Sequence, residues 1–151
     1  MMSFRFPFAI LVAAGLLTGC ASEGPVTAGN DTRACAMNFA VTGSFLAGQT
    51  FTSFEERAGA NKGVVFERVV RSLTTQGFNV TNANKDLGII SALNPIIMGK
   101  GSRATLNVAV SDSQNRVRVD TTFAIPGLTS TSTSEVRDEF CVILRDAFPS
   151  T

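Results

Sequence analysis

NKGVVFERVVRSLTTQGFNVTNANKDLGIISAL, residues 61–93, decides the fold. From Asn61 to Gln76, Phe66, Val69, Val70 and Leu73 recur at i, i+3, i+4 and i+7, with Glu67, Arg68 and Arg71 on the other faces. That spacing predicts an amphipathic helix with one buried stripe. Asn61 is placed to cap its first turn, and Gly77 falls where a left-handed C-cap is wanted. The period then shortens. Phe78-Asn79-Val80-Thr81 reads as a strand, Asn84-Lys85-Asp86-Leu87-Gly88 as a turn and Ile89 to Leu93 as its partner strand. Polar residues and a glycine between two short apolar runs predict a hairpin.

Working outward, Arg103 to Ser111 alternates with Leu106, Val108 and Val110 on one side. Asp112-Ser113-Gln114-Asn115 turns the chain, and Val117, Val119, Thr121 and Phe123 alternate against Arg116, Arg118 and Asp120. A second hairpin with a wet and a buried face is expected. Pro126-Gly127 ends it. Ser132 and Glu135 have capping-box spacing, and Val136, Phe140, Ile143, Leu144 and Ala147 form the stripe of a last helix ending before Pro149. Upstream, Met37 to Phe54 reads as one apolar strand. Phe39, Val41 and Phe45 alternate in it, Gly43 and Gly48 mark a bulge or bend, and the charged patch Glu55-Glu56-Arg57 follows. The expected order is β-α-β-β-β-β-α. One stripe per helix and one apolar sheet face predict a two-layer α+β domain over residues 35–151, mainly antiparallel, with both helices on one face.

The N-terminus reads as an address. Arg5 supplies a positive region, Phe6 to Leu17 an apolar run too short to span a bilayer, and Leu17-Thr18-Gly19-Cys20 a bacterial lipobox. Residues 1–19 are then a signal peptide. Residues 20–34 hold the acylated Cys20 (palmitate-type chains) and a small, polar tether. Ala21 stands where lipoproteins retained at the inner membrane usually carry Asp, so the lipoprotein resemblance implies the outer membrane, with the domain facing the periplasm.

Removal of residues 1–19 from the 151 leaves 132, enough for one domain with a core. Of the 13 basic residues only Arg5 goes, leaving 12 against 12 acidic, a balance that argues against nucleic acid as partner. The chain has no His, which removes Ser–His triads, His–carboxylate metal sites and a near-neutral proton switch. With Cys20 acylated, Cys35 and Cys141 remain. In an exported protein such a pair reads as a disulfide, closing a loop of about 105 residues and contributing about 4 to 5 kcal/mol. The bridge would tie the start of the first strand to the last helix. The alternative is a buried apolar Cys141 beside an exposed Cys35 thiol.

The run from Val69 to Leu93 also resembles a known unit. Its marks are Gln-Gly-Phe after the helix and Lys-Asp-Leu-Gly before the Ile pair. It is similar to the helix–strand–turn–strand unit of small bacterial outer-membrane lipoproteins with helix-grip domains, like the accessory lipoprotein of the outer-membrane β-barrel assembly machinery. The resemblance implies a non-enzymatic, periplasm-facing domain. It carries over no partner, because the assembly lipoprotein has two such domains and this chain one.

Few residues bear chemistry. Gly99-Lys100-Gly101-Ser102 lacks the earlier glycine and the following helix of a phosphate loop. Glu55-Glu56 and Asp138-Glu139 read as solvated faces, without a third ligand at metal-binding spacing. Arg116 and Arg118 read as edge-strand solubilisers. Pro95-Ile96-Ile97-Met98, beside Lys100 and Arg103, is either a cap over the core or an exposed interaction loop. The expectation is therefore a membrane-anchored accessory or interaction module with an envelope protein partner, not an enzyme, with no catalytic residue, metal or cofactor. The alternative is a module binding a small apolar ligand or lipid between helix and sheet, among Phe66, Leu73, Phe123 and Phe140.

Overall fold

The stripe of residues 61–76 does fold into a helix, and its start is capped by the residue placed to do so. A computed structural model describes residues 30–94 and 104–149. Its elements are α1 (Ala34–Met37), β1 (Ala40–Ser44), β2 (Gly48–Ala58), α2 (Lys62–Thr75), β3 (Asn79–Asn84), β4 (Ile89–Asn94), β5 (Ala104–Ser113), β6 (Arg116–Ile125) and α3 (Thr133–Ala147). The Asn61 side chain accepts from Val64 N at 3.0 Å, and Gly77 takes a φ of 84° just past the helix. At α3, Ser132 Oγ accepts from Glu135 N at 3.3 Å.

The six strands form one antiparallel sheet in the order β1-β2-β6-β5-β4-β3. Alternation sends Leu106, Val108 and Val110 of β5 and Val117, Val119, Phe123 and Ile125 of β6 inward. They meet the buried stripes of α2 (Val65, Phe66, Val69, Leu73) and α3 (Val136, Phe140, Ile143, Leu144, Ala147) in a single core. This is a two-layer α+β architecture of helix-grip type, with α2 against β3 and β5 and α3 against β2 and β6. No helix among the described residues is long and apolar enough to cross a membrane.

The structure differs from the sequence reading in four places. The stretch Met37 to Phe54 is not one strand: β1 and β2 fold back on each other, pairing Ala40 with Thr52 and Ser44 with Gly48. The charged patch Glu55-Glu56-Arg57 lies inside β2, whose pairing runs on to Ala58. Arg116 and Arg118 stand on β6, a central strand between β2 and β5, so they do not guard an edge. Cys35 sits in α1, ahead of the first strand.

The disulfide itself is formed. Cys35 and Cys141 are bonded across 106 residues, with their Cα atoms 5.2 Å apart. Both are buried, and Ser53 Oγ donates to Cys35 O at 2.6 Å while Thr121 Oγ1 donates to Ser53 O at 3.0 Å. That buried chain joins α1, β2 and β6, and gives the Ser53 and Thr121 hydroxyls it removes from water a partner each. The segment before α1 follows α3 back toward its start. Arg33 bonds Asp138 at 2.6 Å, and Arg137 Nε lies 3.9 Å from Asp31. The hydrogen bond from Arg33 holds the Asp31 carboxyl down to about 2.

Candidate functional site

Registers place several chain reversals at one end of the sheet. Gln49 pairs with Ile125, Thr105 with Ala124, Asn94 with Ala104 and Asn79 with Leu93. The β1–β2 turn, the exit of β6 and the start of β3 therefore share that end. Among the described residues, chain segments 44–54, 72–84, 87–94, 104–111 and 121–134, which run to it, contain no charged residue, whereas the connection 95–103, outside the described residues, joins β4 to β5 here and carries Lys100 and Arg103 in its sequence. The opposite end, at the β3–β4 and β5–β6 turns, carries Lys85, Asp86, Asp112 and Arg116.

At the uncharged end Phe45 and Leu46, in the β1–β2 turn, are 52% and 75% exposed, and Leu128, just past β6, is 71% exposed. Single exposed apolar residues need no explanation, but three on two adjoining turns do. The two turns are fastened to each other. Leu128 N donates to Phe45 O at 2.7 Å. Gly127 lies so close under Leu46 that a Cβ there would run into the Leu46 carbonyl oxygen. Leu128 has a φ of 62°, a left-handed conformation that costs a non-glycine residue on the order of 1 kcal/mol. The backbone holds a strained leucine outward where it buries little in this chain. Such an arrangement suits contact with something else.

The other sequence candidates fall out differently. Glu55 and Glu56 point to opposite faces of β2 and make no dyad. Glu55 lies 3.5 Å from Arg57 and burial raises its carboxyl, whereas Glu56 bonds Arg116 at 2.6 Å. Asp138 pairs with Arg33, and Glu139 is half-buried with its carboxyl raised by burial. Arg118 stacks 3.6 Å over the Phe54 ring and bonds Asp120 at 2.7 Å. Phe66, Leu73, Phe123 and Phe140 are buried in the core, where Phe39 meets Phe51 and Phe140 at 6.2 and 6.0 Å and Phe51 meets Phe123 at 6.2 Å. Cys20 and the residues Pro95, Ile96, Ile97 and Met98 lie outside the described residues, as do Gly99 to Arg103. The anchors of that last segment, Asn94 and Ala104, stand at the uncharged end.

The described residues also line open clefts. One of about 460 Å³ lies between the start of α2 and the β5–β6 turn, with Lys62 3.7 Å from Asp112 and Arg116 on Glu56. Another, about 330 Å³, is lined by Arg68, Arg71, Ser72, Thr75, Asp146 and Pro149, with Ser72 Oγ donating to Asp146 at 2.8 Å. Among the described residues no group of three His, Cys, Asp or Glu side chains is arranged to hold a metal ion.

Comparison with known proteins gives little beyond shape. No family model and no curated protein matches the chain. Among solved structures it is similar to CalU16 from Micromonospora echinospora, at 10% identity and a TM-score of 0.44, covering 74% of this chain and 85% of that one. It is also similar to Ara h 8.0201, at 10% identity and a TM-score of 0.38, covering 65% and 95%. Likeness at this level carries no functional argument.

Proposed function

We propose that this chain is a lipoprotein of the bacterial envelope, anchored through Cys20 at the outer membrane and facing the periplasm, whose domain is a contact module and not an enzyme. The observation that carries the reading is the uncharged end with Phe45, Leu46 and Leu128 held outward. Two further features support it. The Leu17-Thr18-Gly19-Cys20 box supplies an anchor, and the Cys35–Cys141 bond is of a kind that persists outside the reducing cytosol. A chain without histidine, whose two domain thiols are bonded to each other, has few groups left for nucleophilic or acid–base work.

A protein partner has its own surface. The sheet face turned away from the helices presents Thr42, Thr50, Thr52, Thr105 and Thr122 with Ala40 and Ala124, short uncharged side chains over four strands, and, farther along the same face, Ala109, Phe54 and the charged Glu56, Arg118 and Asp120. An envelope protein can lie flat against it. The interior alternative, a small apolar ligand between helix and sheet, would have to open the ring contacts of Phe39, Phe51, Phe123 and Phe140.

The anchor is tested by mass spectrometry of the N-terminal peptide of protein extracted from the producing cell's envelope. The expected peptide begins at Cys20 and carries acyl mass. A peptide beginning at Met1, from protein recovered in the cytosol, overturns the reading.

A further inference from the structure

We infer that the uncharged end seats on a lipid bilayer, with Phe45, Leu46 and Leu128 entering the headgroup–acyl boundary. The inference rests on the anchored reading above and adds which face of the domain meets the membrane.

Three observations on different parts of the molecule carry it. The first is the apolar triad itself, 52%, 75% and 71% exposed, on turns locked by the Leu128 N to Phe45 O bond. An apolar surface with no charge on its own turns enters an interface without desolvating ions there, and cations such as Lys100 and Arg103 of the adjoining 95–103 sequence suit anionic headgroups. The second is the charge layout. Among the described residues, the turns at this end hold none, and Lys85, Asp86, Asp112 and Arg116 crowd the other end. A domain with that layout has one end suited to lipid and one to water.

The third is where the anchor chain departs. Asp31 and Arg33 run beside Arg137 and Asp138, and Cys35 beside Cys141, so the chain traced backward heads toward the start of α3. From Arg137 to the Ser132 cap is about 7 Å of helix, and the four residues from there to Leu128 add at most about 14 Å. With about 12 Å added for the Arg137 and Asp31 side chains and the gap between them, the chain leaves the described domain within roughly 35 Å of the apolar turns. Nine residues lie between Cys20 and Asn30, ten peptide steps or about 35 Å at full extension. An acyl anchor on that length keeps the apolar end within reach of the bilayer and raises its effective concentration there.

The chain contains neither Trp nor Tyr, so a single introduced indole reports its own surroundings. Phe45→Trp and, at the charged end, Leu87→Trp (67% exposed in the native chain) are made in the full acylated protein. Each is reconstituted into vesicles of phosphatidylethanolamine and phosphatidylglycerol, with and without brominated acyl chains. Insertion predicts blue-shifted emission for F45W, quenched at least twofold by the brominated lipid, and water-like, unquenched emission for L87W. Unshifted F45W emission in protein whose Cys20 is shown by mass to be acylated overturns this inference and leaves the anchor standing. A blue shift without bromine quenching means that protein covers the turn, and overturns it as well.

Discussion

Glu139 lies half-buried on α3 with no ion-pair partner among the described residues, and burial raises its carboxyl above the ordinary value. The charged form is the one disfavoured by folding, so Glu139 contributes stability that is complete below its unfolded pKa and is lost as pH rises through the raised folded value. Glu139→Gln should accordingly melt higher than the native chain at pH 7.5, with the gap closing below about pH 4. A gap that persists at pH 3.5 would assign the gain to packing. At this scale the sequence was informative where one residue does one local task. Asn61, Gly77 and Ser132 cap their helices because a side-chain oxygen or a missing Cβ acts within a single turn. Leu128 was not legible. Its outward, left-handed placement is imposed by the Phe45 carbonyl and the close approach of Gly127, both set by a turn 80 residues upstream.

Among elements, periodicity gave α2, α3 and both later hairpins, because each has a stripe or an alternation of its own. The β1–β2 hairpin lacked that signal. Turns are ordinarily recognised by Asn, Asp, Gly or Pro, and here Phe45, Leu46 and Ala47 fill the turn between Gly43 and Gly48. Two glycines five residues apart around an apolar pair were the available clue, and they flank the exposed Phe45 and Leu46 as well as the reversal. The four-residue α1 is too short for any period, and it is held by the Cys35–Cys141 bond and by Ser53. That bond closes a loop spanning nearly the whole domain. Reducing it, or replacing both cysteines with alanine, should lower the unfolding free energy by about 4 to 5 kcal/mol. Urea denaturation with and without reductant measures this, and an unchanged midpoint would place the stability of α1 elsewhere.

For the molecule as a whole, the α+β class and the shared helix face followed from the sequence, since two striped helices and a one-sided sheet have few other ways to bury their apolar surface. The proposed contact surface did not follow, because it is assembled from turns distant in the chain. It appears only once the sheet register brings residues 45–46 and 128 to one end and the charged β3–β4 and β5–β6 turns to the other. That polarity is the core of the functional reading, and it is open to direct measurement in place. Carbene labelling of intact envelopes from the producing cell compares the two ends within one sample, Ser44–Gly48 and Pro126–Leu128 against the equally exposed turn at Leu87. Labelling of the apolar turns several-fold below that of the Leu87 turn is expected of a seated contact surface. Equal labelling of both ends would mean that Phe45, Leu46 and Leu128 face water in the cell, and would contradict it.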